Sequence, residues 1–544
     1  MVKPKMLKKG DKVAIVSLSR GILGESFIKH EVELLEKRLK ELGLEYEYMP
    51  NSLKGMEYLE KHPEARAEDL KKAFQDDSIS MIWCAIGGED AFRTLSHLMN
   101  EDFQALILSH PKIFMGFSDT TTHHLMLYKL GLNTYYGPAL LTDLAEFSPE
   151  MLPYTKDCIK NLFSNNRGIE LESSPIWYKS RSDFGPEQVG VPATEVQEEK
   201  GIEFFVPEQG KTVVSGELLG GCIEILTEAV ACSRFPEEQR EIFAKFPIFP
   251  AKNEWAGKIL FIETSEEQPS PEKYRQMIDI LEKQGVFSEI NGILVGKPMD
   301  EKYYTEYKEI VTEVAKQYQV PVAFNLNFGH SLPRMILPIG QVAELDVAQK
   351  KITLKESMFA SDLDEKIREK LHEVVDEERY IHSLLVANQA KDLAVNYGLD
   401  YEKAYTAGLA HDIAKRLSPE QEKYFVEKYH LPSELLDDDA KNYRHSEIGG
   451  AVAKEWFDLD DEICQAIAYH TIPRKEMTDF DKIIFLSDKL GRNDLPDEWI
   501  PLKELAYQNL NQAMKYFLTE QEKDLKKRGI TPHPGSREFL NSIS

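Results

Sequence analysis

Three residues in the first two thirds of the chain could together make a working nucleophile: Ser118, Glu263 and His330. Serine attacks poorly unless a base takes its proton, and that base needs a carboxylate to orient it. Each of the three stands where an apolar run stops. Ile113 to Met115 lead through Gly116 to Ser118, Lys258 to Ile262 deliver Glu263, and Val320 to Phe324 precede the turn Asn327-Phe328-Gly329-His330. Gly88, after the run 79–86, and the backbone N–H of Asp119 could face an oxyanion beside the serine. His123 and His124 lie on the helix leaving Ser118 and read as surface residues. Glu266 and Glu267 compete for the role of acid but read as solvated.

A second constellation fills the last third: His382, His411, His445 and His470 with Asp412 and Asp488, mostly separated by whole helices. Imidazole and carboxylate donors together suit iron, manganese or zinc. The adjacent pair His411-Asp412 would let the aspartate bridge two ions while the histidine serves one.

These residues need elements to hold them. Strands at 12–16, 79–86 and 113–115 alternate with helices, and their C-terminal ends run into polar or glycine-rich turns, which predicts an open parallel sheet with its site along that rim. A serine between a strand and a helix is lifted out of the sheet. Residues 165–210 read as irregular, a bridge or an overhanging loop with Trp177 as a possible flat stacking surface. Strands near 213–214, 258–262, 292–295, 320–324, 341–346 and 351–355, with helices at 271–284 and 303–317, predict a second α/β lobe. After Lys355 the strand signals vanish, and helical periodicity runs to the end. The expected domains are 1–165, an α/β lobe with the nucleophile; 166–358, a second α/β lobe with the acid and base; 359–375, a linker helix; and 376–544, all-α.

Composition narrows the partners. The net charge is −26 with no basic run, which excludes nucleic acid and an anionic membrane surface as expected partners. Five scattered cysteines without CxxC spacing predict reduced thiols in a cytoplasmic protein. The basic N-terminus lacks an apolar stretch followed by a cleavage site, and no window is apolar enough to span a bilayer.

The motifs GFSDTT (116–121), the Gly87-Gly88 turn, SGELLGGCIEIL (215–226), LFIETSEE (260–267) and FGHSLPRMILPIG (328–340) resemble the serine LD-carboxypeptidase family, which includes the microcin C immunity peptidases. The resemblance implies a two-lobed fold with a Rossmann-like first lobe and no cofactor. It also implies Ser118 as nucleophile, Glu263 as orienting acid, His330 as base, and Gly88 with Asp119 as oxyanion donors. A homodimer built through this part is expected. Substrates would be LD-linked peptides of cell-wall turnover or acyl groups joined to a nucleotide-like moiety. Glu89-Asp90 after the two glycines departs from relatives, which often carry an aromatic, serine or asparagine there.

RYIHSLLVA (379–387), AGLAHDIAK (407–415), AIAYHT (466–471) and DKIIFLSDKLGR (481–492) resemble the HD phosphohydrolases, above all the symmetrical diadenosine tetraphosphatases. By this resemblance His382, His411, Asp412 and Asp488 hold one divalent metal, and His445 and His470 complete a second beside Asp412. Iron is the first expectation for both ions, with manganese and zinc as alternatives. Lys415 and Arg492 are the candidate phosphate contacts. Arg444-His445-Ser446-Glu447 and His470-Thr471-Ile472-Pro473 depart from the family's runs. The chain thus reads as a bifunctional hydrolase acting on a small peptide or acyl-nucleotide and on a dinucleoside polyphosphate. The alternative is one active centre beside a binding or scaffold module.

Overall fold

The computed structural model describes residues 1–492, 495–496 and 499–543. Residues 493–494, 497–498 and 544 of the expected 376–544 domain lie outside the described residues. The chain divides into two compact units, Met1–Ala360 and Ser361–Ser544. No described helix is long and apolar enough to cross a membrane.

The first unit is built on two sheets. The first has six strands, in the spatial order Leu337–Ile339, Thr134–Tyr136, Ile113–Gly116, Ile79–Cys84, Lys12–Val16, Glu45–Tyr48. Five are parallel, and their centre is buried on both faces, which is why Val13 to Val16 and Ile113 to Met115 read as unbroken apolar runs. Leu337–Ile339 is antiparallel and comes from beyond His330, so the second lobe supplies the edge strand of the first lobe's sheet. The second sheet has eight strands. Its parallel centre runs from Val213–Cys222 through Ile259–Glu263 and Gly292–Gly296 to Val322–Leu326. Antiparallel strands flank it on both sides.

The segment 165–210 is more ordered than its sequence predicts. Ile176–Tyr178 pairs with Glu195–Gln197, and Glu203–Phe205 closes the second sheet's edge. Trp177 is buried, with the Lys297 ammonium 4.9 Å from its ring centre, so it packs and offers no free stacking face. The helix Thr121–Lys129 is buried all round. His123 and His124 are therefore core residues and not the surface residues expected. His123 Nε2 lies 3.0 Å from Thr94 Oγ1, and His124 bridges Thr134 Oγ1 and the Gly116 carbonyl at 2.8 and 2.9 Å. Burial pushes their pKa values down to about 3 and about 4, so both are neutral.

The second unit is all-helical. Most of its described helices start on side-chain caps: Ser361, Asp376, Asp400, Ser418, Asp460 and Thr478 each accept a backbone N–H of the first turn. The helix Asp362–Val374 belongs to this unit, where Arg368 donates to the Tyr405 hydroxyl at 2.9 Å. Tyr401–Ala410 packs tightly on Glu377–Tyr397 because Gly408 meets Ala387. A Cβ at Gly408 would lie 2.8 Å from the Ala387 Cα. That approach sets His411 beside His382, with ring centres 5.3 Å apart.

Candidate active sites

Ser118 follows the buried strand Ile113–Gly116 and opens the turn into Thr121–Lys129. Its φ of +63° is unusual for a residue with a Cβ and costs about 1–3 kcal/mol, which the surrounding contacts must offset. Its N–H donates to the Tyr136 hydroxyl at 3.2 Å, and that hydroxyl donates to Glu263 Oε1 at 2.6 Å. His330 bridges the two ends: Nε2 lies 3.1 Å from Ser118 Oγ, and Nδ1 lies 2.8 Å from Glu263 Oε2. The three residues come from two sheets and meet within hydrogen-bonding distance.

Charge follows from this packing. Burial opposes ionisation of Glu263, but His330 and Tyr136 outweigh it and hold the carboxyl below its usual range. Burial likewise opposes charge on His330, yet Glu263 and Glu266 raise its pKa to about 10. Glu266 reads in the sequence as a solvated rival acid. It is two-thirds exposed, but its Oε2 comes within 3.0 Å of His330 Nε2, the nitrogen that faces Ser118.

Gly87 packs against the serine: a Cβ there would sit 2.9 Å from Ser118 Cβ and 3.2 Å from the Asp119 N. Gly88 faces Ser19, whose Oγ would lie 2.2 Å from an added Cβ. The loop that follows them is pinned by buried side chains. The buried Asp119 carboxylate accepts the Ser19 hydroxyl at 2.5 Å and the Ala91 N–H at 2.9 Å. Arg66, fully buried, forks onto Asp90 at 2.7 and 3.0 Å. Burial raises the Asp119 pKa to about 6.

Sequence reasoning missed two residues here. Tyr136 sits on a three-residue strand too short to show a period, and its role depends on a partner more than a hundred positions away. Arg334 is buried over the Phe117 ring at 4.2 Å and donates to Asp143 Oδ2 at 2.8 Å and to the His330 carbonyl at 3.1 Å. It fastens the histidine turn to the nucleophile's lobe. Its place four residues after His330, inside the run 328–340, is the one sign of it in the sequence.

In the second unit the four histidines and two aspartates converge. His382, His411 and Asp412 form one group of potential ligand atoms, and Asp412, His445 and His470 form another. Asp412 is common to both. Asp412 Oδ1 lies 3.3 Å from His445 Nε2 and 3.7 Å from His470 Nε2, while Asp488 Oδ1 lies 3.1 Å from His382 Nε2 and 3.4 Å from His411 Nε2. His411 and His470 direct Nδ1 at the carbonyls of Gly408 and Ile467, both at 2.7 Å, leaving each Nε2 lone pair turned inward. His411 Nε2 and Asp412 Oδ1 are buried without a hydrogen-bond partner, which is costly in a folded core unless something else binds them. Burial lowers the pKa of His445 to about 4 and lowers that of His470, favouring the neutral imidazole that a metal requires. The donor set and its unpaired atoms fit divalent metal.

Three cations border this cluster. Arg379 donates to Asp412 Oδ2 at 2.9 Å, Lys415 Nζ lies 2.9 Å from His445 Nε2, and Lys489 pairs with Asp488. Lys415 is a phosphate contact that the family resemblance predicts. It does not predict Arg379 or Lys489, although Arg379 stands three positions before His382 on the same helix face. Arg492 is exposed, with its guanidinium over the Trp499 ring at 5.5 Å. Arg444 pairs with Glu422 at 3.2 Å.

Comparison with known proteins agrees with both halves. Residues 13–137 match the LD-carboxypeptidase N-terminal domain, 215–345 the LD-carboxypeptidase C-terminal domain, and 379–493 the HD domain. An MccF-like protein from Streptococcus pneumoniae, crystallised in complex with AMP, is 44% identical with a TM-score of 0.60, covering 64% of this chain and 99% of that one. A Bacillus subtilis (strain 168) protein named "Probable murein peptide carboxypeptidase" is 28% identical over 360 residues, 65% of this chain and 94% of its own. The symmetrical bis(5'-nucleosyl)-tetraphosphatase of the same organism is 35% identical over 139 residues, 25% of this chain and 74% of its own. The chain belongs to the LD-carboxypeptidase family through its first unit and to the HD-domain family through its second.

Proposed function

We propose that the chain is a bifunctional hydrolase whose first unit cleaves acyl–nucleotide conjugates and whose second cleaves dinucleoside polyphosphates. The observation that carries the first half is the hydrogen-bonded line Ser118–His330–Glu263. Ser118 Oγ attacks the acyl carbon while its proton passes to His330 Nε2, and Glu263 stabilises the imidazolium that forms. His330 returns the proton to the leaving group as the bond breaks. Water, deprotonated by the same nitrogen, then releases the acid and restores Ser118. The N–H groups of Gly88 and Asp119 hold the oxyanion. The 44% identical relative bound to AMP favours a nucleotide-bearing leaving group. The murein peptide name of the 28% identical relative supports a second reading, release of a terminal D-amino acid from an LD-peptide.

In the second unit, His382, His411, Asp412 and Asp488 would hold one divalent ion, with His445, His470 and the shared Asp412 holding another. Iron comes first by family resemblance. Such ions supply Lewis acidity toward a phosphoryl oxygen and lower the pKa of water. Arg379, Lys415 and Lys489 neutralise the phosphate charge, and the 35% identical tetraphosphatase points to symmetrical cleavage into two nucleoside diphosphates.

Mass spectrometry of products from one mixture of an LD-linked tetrapeptide and aspartyl sulfamoyl adenosine tests the substrate. Wild type should release aspartate, and the Ser118→Ala protein should not. Release of D-alanine alone would replace the nucleotide reading with the cell-wall one. Cleavage of both by the Ser118→Ala protein would contradict the serine mechanism.

Tyr136→Phe gives a further expectation. It removes one donor from the buried Glu263 carboxylate and the acceptor for the Ser118 N–H. Hydrogen bonds to charged groups contribute about 1.5–3 kcal/mol, so kcat should fall roughly 10- to 100-fold with KM little changed. Steady-state kinetics on the cleaved substrate checks this. An unchanged kcat would show that Tyr136 does not position the site.

A further inference from the structure

An oxyanion donor works only if its N–H keeps one direction, so something must hold the loop that carries Gly88. The Gly87 carbonyl accepts the Arg20 N–H at 3.2 Å. The peptide joining Gly87 to Gly88 is planar and trans, so this bond also fixes the Gly88 N–H, which points the opposite way, away from Arg20. Gly88 is seated closely on the same turn: a Cβ there would lie 2.2 Å from Ser19 Oγ and 2.9 Å from the Arg20 N. The direction of the donor is therefore set by the turn 17–20, which follows the strand Lys12–Val16.

One side chain ties that turn to the nucleophile. The Asp119 carboxylate, buried directly after Ser118, takes the Ser19 hydroxyl and the Ala91 N–H on the same oxygen, Oδ2, at 2.5 and 2.9 Å. It thus holds the far end of the loop 87–91 directly and the near end through the turn that seats Gly88. Both partners are donors, so the grip is strongest when the carboxyl is ionised. A second carboxylate stands beside it: Asp90 Oδ1 lies 3.4 Å from Ser19 Oγ, and Asp90 is itself held by Arg66 and Arg93.

We propose that the Asp119 side chain is a positioning residue of the oxyanion site, its carboxylate locking the Gly88 loop and the nucleophile turn into one unit so that both N–H donors meet the developing charge together. This inference rests on the oxyanion reading above and names what holds the donors. Burial raises the Asp119 pKa to about 6 against the hydrogen bonds from Ser19 and Ala91, with Asp90 adding to the rise and Arg66 opposing it. The lock therefore tightens as pH rises through that value. Asp90 and Arg66 are the charged groups that face it, with Arg93 joined to Asp90, and the buried His123 nearby is neutral. The sign for stability is the reverse of that for function. A raised carboxyl pKa stabilises the fold fully below the usual aspartate range, and that contribution is lost as pH rises through about 6. Asp119→Asn should therefore hold or raise the melting temperature at about pH 8 while it loosens the site.

The test is the second-order rate at which a fluorophosphonate labels Ser118 in the full chain, wild type against Asp119→Asn, from about pH 5 to about pH 8. Ser118 Oγ bonds to phosphorus, fluoride leaves, and the charge that grows on the phosphoryl oxygen calls on the oxyanion donors. Taking the ratio of the two rates cancels the protonation of His330, which both proteins share. That ratio should be about tenfold or more at about pH 8 and fall towards one at about pH 5, where the wild-type carboxyl is protonated as well. A ratio that is the same at every pH, or a lower melting temperature for the variant at about pH 8, would overturn the proposal. Ser19→Ala keeps the carboxylate and should slow labelling several-fold; an unchanged rate would refute the route through the turn. If the wild type takes no label at any pH, the nucleophile reading fails, and amide hydrogen exchange still decides the lock. The peptide carrying Gly87 to Ala91 should exchange faster in Asp119→Asn, and unchanged exchange would refute it.

Discussion

Ser118→Ala is expected to reduce hydrolysis by the first unit roughly 10⁴- to 10⁶-fold, because loss of a triad nucleophile removes nearly everything that its base and acid contribute. The substitution deletes one oxygen from a residue whose backbone is fixed by Tyr136 and by Gly87, so the turn itself should persist. Alanine at φ +63° carries the same strain as serine, and the melting temperature should move little. The assay is single-turnover cleavage of aspartyl sulfamoyl adenosine, with hydrolysis by the second unit as an internal control. A variant that keeps more than a hundredth of the wild-type rate would mean that another group supplies the nucleophile.

Asp412→Asn should have the corresponding effect in the second unit. Asp412 is the carboxylate common to both ligand groups and lies within ion-pair distance of five other residues in the site: His411, His445, His470, Arg379 and Lys415. Burial alone would raise its pKa, but His411, His445 and His470 hold it well below the usual carboxylate range. Asparagine keeps the size and loses the charge that two cations would share. A group that only orients a metal ligand is worth roughly 10–100-fold in affinity or activity, and a shared ligand should be worth more. Diadenosine tetraphosphate hydrolysis should therefore fall at least about a hundredfold, with bound metal, measured by inductively coupled plasma mass spectrometry, falling in parallel. Full metal content with full activity would remove Asp412 from the centre.

Some of this architecture is visible in the sequence because local pattern and tertiary position coincide. Buried parallel strands must be apolar along their whole length, so the runs before Ser118 and Glu263 mark both the strand and the residue that its end presents. The loss of strand signals after Lys355 marks the change to helical architecture for the same reason. Other features depend on distance. Leu337–Ile339 joins the first sheet from the far side of His330, which no local period can announce. His123 and His124 looked polar and therefore exposed, but hydroxyl and carbonyl partners on neighbouring elements allow a neutral imidazole to be buried. Tyr136 and Arg334 make their contacts across lobes, and their types alone do not distinguish them from ordinary packing. Arg379 was within reach of the sequence, because its spacing from His382 places both on one helix face.

We propose that one chain carries two hydrolytic centres that work independently of each other. It is tested most directly by assaying wild type, Ser118→Ala and Asp412→Asn in parallel on aspartyl sulfamoyl adenosine and diadenosine tetraphosphate. The expected result is crossed: Ser118→Ala loses the first reaction and keeps the second, and Asp412→Asn does the reverse. Loss of both reactions in either variant, or retention of both in either, would contradict it.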